Sequence, residues 1–487
     1  MSRKDELREN RLQKLEKIAK DGTHPYPLST ARTHTLKEAL SSFQKLKEEE
    51  KEIVLAGRVR SFREHGKLTF VNIEDGTGQI QIFLSETFMG NNPYQFFLEN
   101  FDIGDFVEVR GILFLTKKEE KSIKAADVKM LSKALLPLPE KWHGIQDVED
   151  RYRKRYLDLL FNEEIKENFK NRSKIIKEVR NFLDEKEFIE VETPILQPLY
   201  GGAGAKPFKT HFNALSMDFY LRIAPELYLK RLIVGGFEKI YEIGRCFRNE
   251  GIDKSHNPEF TSLEIYWAYA NYKQMMSFTE ELITHILKEV FEKTEIWYEE
   301  EKIDFSAPWE RVQFYDLIRK ETGIDLHEIN KEALLAKAKE MGIEVEKGAD
   351  KAKISDEIFK KKCREKLRQP TFVIHHPEGF QPLAKSLPDG TLASFQLYIA
   401  GWEVVNAFSE LNDPLEQKKR FKEQEQMLKE GFEEAQRMDE DFINALEQGM
   451  PPCVGFGMGV DRLCALLTGS HSLREIIFFP AMRKKDE

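Results

Sequence analysis

Residues Arg245–Tyr269 read RCFRNEGIDKSHNPEFTSLEIYWAY. Tyr241, Ile243, Arg245 and Phe247 alternate with Glu242, Gly244, Cys246 and Arg248, the pattern of a half-buried strand. The stretch Asn249–Glu259 is polar, carries Gly251 and closes on Asn257-Pro258, a turn signal. Beyond it, Phe260, Ser262, Glu264 and Tyr266 fall on one face of a second strand by the period of two. One hairpin thus presents an arginine, an aromatic ring, a carboxylate and a phenol to the same space, with Glu250 and His256 on its loop. That set suits a polyanion, a flat base and an ammonium group. A surface hairpin with scattered charges is the other reading of these residues taken alone.

Working outward, 487 residues exceed one ordinary core, so two or more domains are expected. The formal net charge of -9 argues against a nonspecific nucleic-acid coat. A local basic surface stays compatible with it, because attraction to phosphate depends on the facing patch. No apolar run approaches the ~20 residues of a membrane span. The opening MSRKDELRENRLQKLEKI contains acids and no apolar segment, unlike a signal or transit peptide. Cys246, Cys363, Cys453 and Cys464 make no CxxC pair. They read as reduced thiols of a cytoplasmic enzyme, without a zinc site or disulfide framework.

FRNEG followed by HNPEFTSLE resembles the second signature motif of class II aminoacyl-tRNA synthetases, in the aspartate–asparagine–lysine subgroup. With LRIAPELYLKRLIVGGFEKIYEIGRCFRNEG upstream and AFSELNDP downstream, the resemblance narrows to the lysyl members. It spans nearly the whole chain apart from parts of residues 325–370. The fold it implies is α+β and multidomain, an oligonucleotide-binding (OB) β-barrel followed by a catalytic domain with a mainly antiparallel sheet flanked by helices. The divisions expected are a charged helix in 1–25, the barrel in 26–137, a hinge in 138–162 and the catalytic domain in 163–487.

Residues 3–21 predict a helix with a thin apolar stripe, Leu7, Leu12, Leu15 and Ile18, either a solvated cap or a basic arm against RNA. From Ile53 to about Leu136, short strands punctuated by Gly66, Gly76 and Gly104 suggest a five-stranded barrel. Phe70 reads as a core residue or as a ring for stacking a base, and Gln81 as a partner for a base edge. The resemblance assigns both, with Arg58, to the tRNA anticodon. Ile165, Phe169, Ile176, Val179 and Leu183 mark a helix, and FIEVETPIL a strand stopped by Pro194. This order resembles the first signature motif and implies a homodimer.

Gly201, Gly202 and Gly204 let backbone approach a ligand. Ala224-Pro225-Glu226 starts a helix, where capping alone explains Glu226. Residues 325–370 read as a helical insertion whose charges are solvated. FQLYIAGWEVVNAFSELND predicts a hairpin turning near Ala400-Gly401, with Asn406, Phe408 and Glu410 on one face. Glu403 has the opposite parity, so reaching the same site needs a bulge or a different side of the ligand. VGFGMGVDRLCALLTGS lacks the GK[ST] ending of a phosphate loop, but resembles the third signature motif and supplies Arg462.

The chemistry implied is ATP-dependent activation of L-lysine and its transfer to tRNA(Lys), with Mg²⁺ on the phosphates. By resemblance, Arg248 and Arg462 are the catalytic cations. Arg248, Glu250, His256, Asn257, Phe260, Glu403 and Arg462 bind ATP. Gly202, Glu226, Glu264, Tyr266, Asn406, Phe408 and Glu410 hold lysine, Glu410 and Tyr266 taking the ε-ammonium. Glu403 is the metal ligand, with the Gln396 amide oxygen a weaker candidate beside it. Gln396 stands where the family usually has a second acidic ligand, which puts the metal count in doubt. An aspartyl enzyme, a lysyl ligase acting on a translation factor, and a noncatalytic RNA-binding descendant are the competing readings. Glu410 with Glu264, the barrel, and the Arg248–Glu403–Arg462 set oppose them respectively.

Overall fold

The computed structural model describes residues 3–139, 147–346, 348–429 and 436–484. It separates into two compact units, Met1–Gly144 and Ile145–Glu487.

In the first unit, strands Ile53–His65, Leu68–Glu74, Gln79–Ser85, Phe106–Leu115 and Lys121–Ser132 close into a barrel. Alternation decides which side faces in: Leu55, Val59, Val71, Ile73, Ile82, Val107 and Val109 fill the interior. The helix Arg3–Lys20 is more than a solvated cap. Its Ile18 is fully buried, and Arg11 donates to the carbonyl oxygens of Ile103, Ala134 and Leu136. A guanidinium with five donors thus supplies the anchoring that so thin an apolar stripe cannot.

The second unit is built on an eight-stranded sheet. Its spatial order is Glu310–Gln313, Thr371–Ile374, Ser394–Ile399, Trp402–Ser409, Cys453–Gly459, Glu259–Ala268, Lys239–Phe247 and Ile189–Glu190. All neighbours are antiparallel except the two outermost pairs. On one face Leu263, Ile265, Val405, Phe456 and Met458 pack in one core with Val179, Leu282, Ile283 and Leu463. The residues of opposite parity are left for the other face, where the cleft lies.

Two expectations change. The strand over FIEVETPIL shrinks to Ile189–Glu190. Past Val191 the segment leaves the sheet because Thr193 is bound through its side chain to Glu242 and through its carbonyl to Arg222. The insertion also begins earlier than residue 325. Helices Phe314–Thr322, Lys331–Glu340 and Lys351–Lys362 share a core that includes Phe314, Leu334, Ile358 and Phe359.

Helices Val148–Arg153 and Arg155–Phe161, in the stretch expected as a hinge, are fastened into the second unit. Arg155 is fully buried, pairs with Asp158 at 2.5 Å, and donates to the carbonyls of Arg474 and Phe478. No helix of the described residues is long and apolar enough to cross a membrane. Removing one partner of a buried ion pair strands the other, so Arg155→Met is expected to destabilise the second unit by about 3–5 kcal/mol. Chemical unfolding checks this; an unchanged midpoint would contradict it.

Candidate active site

A cleft of about 410 Å³ opens on the free face of the large sheet. Gly202, Glu226, Arg248, Glu250, His256, Asn257, Phe260, Glu264, Tyr266, Gln396, Glu403, Asn406, Phe408, Glu410 and Arg462 all line it. The three barrel residues lie in the other unit.

Local geometry explains the gathering. Ala400 and Gly401 both have positive φ, 50° and 77°, the tight turn that joins two right-twisted strands. Beyond it the ladder shifts: Tyr398 faces Glu403, whereas Leu397 faces Val405. Val404 is thus the extra residue of a bulge, which brings Glu403 to the same cleft as Asn406 despite its parity. The glycine-rich run is a strand, Cys453–Gly459, lying between the strands that carry Glu410 and Glu264. A Cβ at Gly455 would sit 1.9 Å from Glu410 Oε1, and one at Gly457 3.2 Å from the Glu264 carboxylate. The glycines are the floor on which the acids rest, not a phosphate cradle.

One end of the cleft is acidic and largely buried. Glu226, Glu264, Tyr266 and Glu410 cluster there, and burial pushes Glu264 up to about 8, with Glu226 adding to the shift. Burial likewise raises the Tyr266 phenol well above its ordinary value. Glu226 does not serve as a helix cap. It points to Lys230 one turn along helix Glu226–Val234, with Nζ 2.6 Å from Glu226 Oε1. Lys230 also forms an ion pair with Glu410, and its ammonium is fully buried. Burial opposes its charge, but the two carboxylates more than compensate and raise its pKa. Burial also raises both of those carboxylates against the pull of Lys230, and at Glu410 the neighbouring Glu226 adds to the rise. Sequence reading missed Lys230; the i,i+4 spacing from Glu226 was the available signal. It also missed Arg222, buried and 2.5 Å from Glu242, which ties the segment around Thr193 to the hairpin.

The other end is cationic and open. The Arg248 guanidinium lies 5.0 Å over the Phe260 ring, and its Nε is buried with no hydrogen-bond partner. Arg462 Nη1 donates to the Glu403 carbonyl at 2.9 Å, and Nη2 lies 3.3 Å from His256 Nε2. His256 Nδ1 faces Asp253 at 2.9 Å. With the proton on Nδ1, the imidazole donates to Asp253 and leaves Nε2 to accept from Arg462. Between the ends, Asn406 Oδ1 accepts from Gln381 at 2.6 Å, and the Gln396 amide oxygen accepts from the Tyr398 hydroxyl at 2.9 Å.

On the barrel, Arg58, Phe70 and Gln81 share the outer face of adjacent strands, since Arg58 stands opposite Glu74 and Gln81 opposite Asn72. The Phe70 ring is half-buried, 5.4 Å from Phe83, rather than fully free. Arg58 lies 4.4 Å over Phe106, and buried Gln81 accepts from Ser122 at 3.1 Å.

Residues 147–483 match the tRNA synthetases class II (D, K and N), and residues 53–131 match the OB-fold nucleic acid binding domain. That is the class of protein which this barrel, sheet and cleft define. The chain is 50% identical over 486 residues to a lysine–tRNA ligase of Carboxydothermus hydrogenoformans, covering 99% of each chain. It is 49% identical over 487 residues to one from Pelotomaculum thermopropionicum, covering 99% of this chain and 96% of the relative. It is 48% identical over 486 residues to one from Roseiflexus sp., covering 99% of each. The chain belongs to the lysine–tRNA ligase family of the class II synthetases.

An amine entering beside Glu264 meets a carboxyl that is protonated below about pH 8. Its affinity for the ionised acid is therefore expected to rise as pH increases from about 6.5 to about 8.5. Lysine titrations across that range check this, with Glu264→Gln expected to flatten the slope. A pH-independent affinity would contradict it.

Proposed function

We propose that this protein is a lysine–tRNA ligase working in two steps at the cleft. In the first, a carboxylate oxygen of L-lysine attacks the α-phosphorus of ATP. The bond to the departing pyrophosphate breaks, leaving lysyl-adenylate. In the second, a ribose hydroxyl at the 3′ end of tRNA(Lys) attacks the acyl carbon, loses its proton, and AMP leaves. The observation that carries this reading is the polarity of the cleft: buried acids at one end and guanidinium groups at the other. A substrate pair with an ammonium tail and a polyphosphate fits only one way round.

Phosphoryl chemistry of this kind needs alignment and charge stabilisation more than a base. Arg248 bridges the lysine carboxylate and the α-phosphate, for which a planar fork is suited. Phe260 stacks on adenine, Arg462 covers its other face and reaches the γ-phosphate, and Glu250, His256 and Asn257 complete the ATP loop. Glu410 and Tyr266, with Glu264, take the ε-ammonium; Glu226 and the Gly202 backbone take the α-ammonium; Asn406 takes the carboxylate. Phe408 walls the lysine chain. Gly202, with φ +84°, is required there because a Cβ would come within 2.9 Å of the Glu226 side chain.

Mg²⁺ fits as an ion carried by the nucleotide. Among the described residues no group of three His, Cys, Asp or Glu side chains stands ready to hold a metal. Glu403 lies beside the Arg462 end, and one carboxylate plus phosphate oxygens and water is a sufficient set for this cation. Gln396 has its amide oxygen engaged by Tyr398, so Glu403 is the principal protein ligand. Bound there with ATP, Mg²⁺ would neutralise phosphate charge.

The barrel's outer face, with Arg58, Phe70 and Gln81, takes the anticodon, and the cytoplasm is the compartment. Exposed Ile189, Ile195, Leu196, Phe212 and Leu215 form apolar surface in and just after the segment resembling the first motif, which supports a homodimer. Light scattering should give twice the chain mass; a monomer at micromolar concentration would contradict this. Glu410→Gln is expected to lower lysine-dependent ATP–pyrophosphate exchange by about 10²-fold or more, as for loss of a buried charged partner. Undiminished lysine dependence would overturn the assignment.

A further inference from the structure

Among the described residues at the acidic end, Lys230 is an ammonium held directly between two of the acids. On its own helix it meets Glu226. Glu410 comes to it from the end of strand Trp402–Ser409, while Glu264 and Tyr266 lie nearby on Glu259–Ala268 and the Cys453 thiol at the start of Cys453–Gly459. The Phe408 and Phe442 rings stand 5.6 and 5.9 Å from Nζ and exclude water. Each of its two carboxylate partners is divided. Lys230 takes Oε1 of Glu226 and Oε2 of Glu410. The remaining oxygens face cleft-lining backbone: Glu410 Oε1 lies over Gly455 with no hydrogen-bond partner, and Glu226 Oε2 lies 3.6 Å from the Cβ position of Gly202.

We propose that Lys230 is a positioning residue for lysine recognition: its fixed ammonium holds one oxygen of Glu226 and one of Glu410, and so aims the other oxygen of each at the substrate's two ammonium groups. This rests on the reading of the acidic end as the lysine pocket. The physical reason is the cost of two carboxylates in one dry space. Without an internal cation the pair retains a proton, and the carboxyl that keeps it no longer attracts an ammonium. Lys230 pulls both carboxylates back toward the ionised form against the burial that raises them, so the pocket holds more negative charge for an incoming cation than it would without it. Being covalently tethered, Lys230 also fixes the rotamer of each acid, so specificity does not depend on the substrate ordering its own receptor.

The test compares Lys230→Met and Lys230→Arg with the wild-type enzyme by ATP–pyrophosphate exchange, measuring KM for lysine, KM for ATP and kcat between about pH 6.5 and about pH 8.5. Lys230→Met is expected to raise KM for lysine on the order of tenfold or more near neutrality, as for truncating a buried charge pair, with KM for ATP little changed. The deficit should shrink as pH rises, more steeply than in the wild type, because the retained proton is lost. Lys230→Arg keeps the charge and should keep the wild-type pH slope even if KM shifts. Cooperative melting and ATP binding establish that each variant is folded; if Lys230→Met is not, Lys230→Gln is read by the same criterion. A folded uncharged variant with wild-type KM for lysine and wild-type pH slope would overturn the proposal, as would Lys230→Met and Lys230→Arg behaving alike. A wild-type enzyme that activates no lysine would instead defeat the functional reading, which separates the two failures.

Discussion

Glu226, Glu264 and Glu410 occupy one dry end of a cleft with a single internal ammonium among them, and most of the catalytic unit's local structure follows from keeping them there. Like charges out of water repel and lose hydration, so each acid is raised above its ordinary range by burial. Backbone must come close enough to exclude water without displacing the acids. Gly455 and Gly457 meet that need, since side chains at either position would crowd the carboxylates. Helix Glu226–Val234 supplies the cation one turn after the acid that it partners.

The sheet separates two tasks by parity. Leu263, Ile265, Phe456 and Met458 face a packed hydrophobic core, so the residues between them are held on strands with little freedom. Glu264, Tyr266, Gly455 and Gly457 therefore inherit rigidity from the core behind them. Precision at a charged site depends on that support, because an acid on a mobile loop would relax toward solvent. The cationic end is treated differently. Arg248 rests against Phe260, and Arg462 is tethered to the Glu403 carbonyl and His256, on elements that border an open loop. A large nucleotide needs entry, whereas a buried ammonium needs exclusion of water.

Much of this was legible in the sequence. The hairpin through Arg245–Tyr269, the barrel and the turn at Ala400-Gly401 each follow from short-range patterns that the structure keeps. The parity of Glu403 left a bulge or a different side of the ligand open, and the structure has the bulge. What escaped reading depended on long-range partners. The strand after Phe188 stops early because Arg222 and Glu242, distant in sequence, claim Thr193. The helix Arg3–Lys20 looked solvated because its anchor is an arginine seeking carbonyls, not an apolar stripe. Lys230 carried no signal beyond its i,i+4 spacing from Glu226. Its burial is set by Glu410, which lies far along the chain. The roles of Arg58, Phe70 and Gln81 came from resemblance; their common face on the barrel is a matter of strand register.

Charge, not shape, sets the acidic end apart. Activation of lysine measured against 6-hydroxynorleucine, a neutral analogue of the same length, tests that most directly. A pocket built from buried acids should disfavour the hydroxyl analogue in kcat/KM by about 10³-fold or more, since its acceptors would lose their cation. Comparable activation of the two would show that chain length alone is read, and would contradict the account.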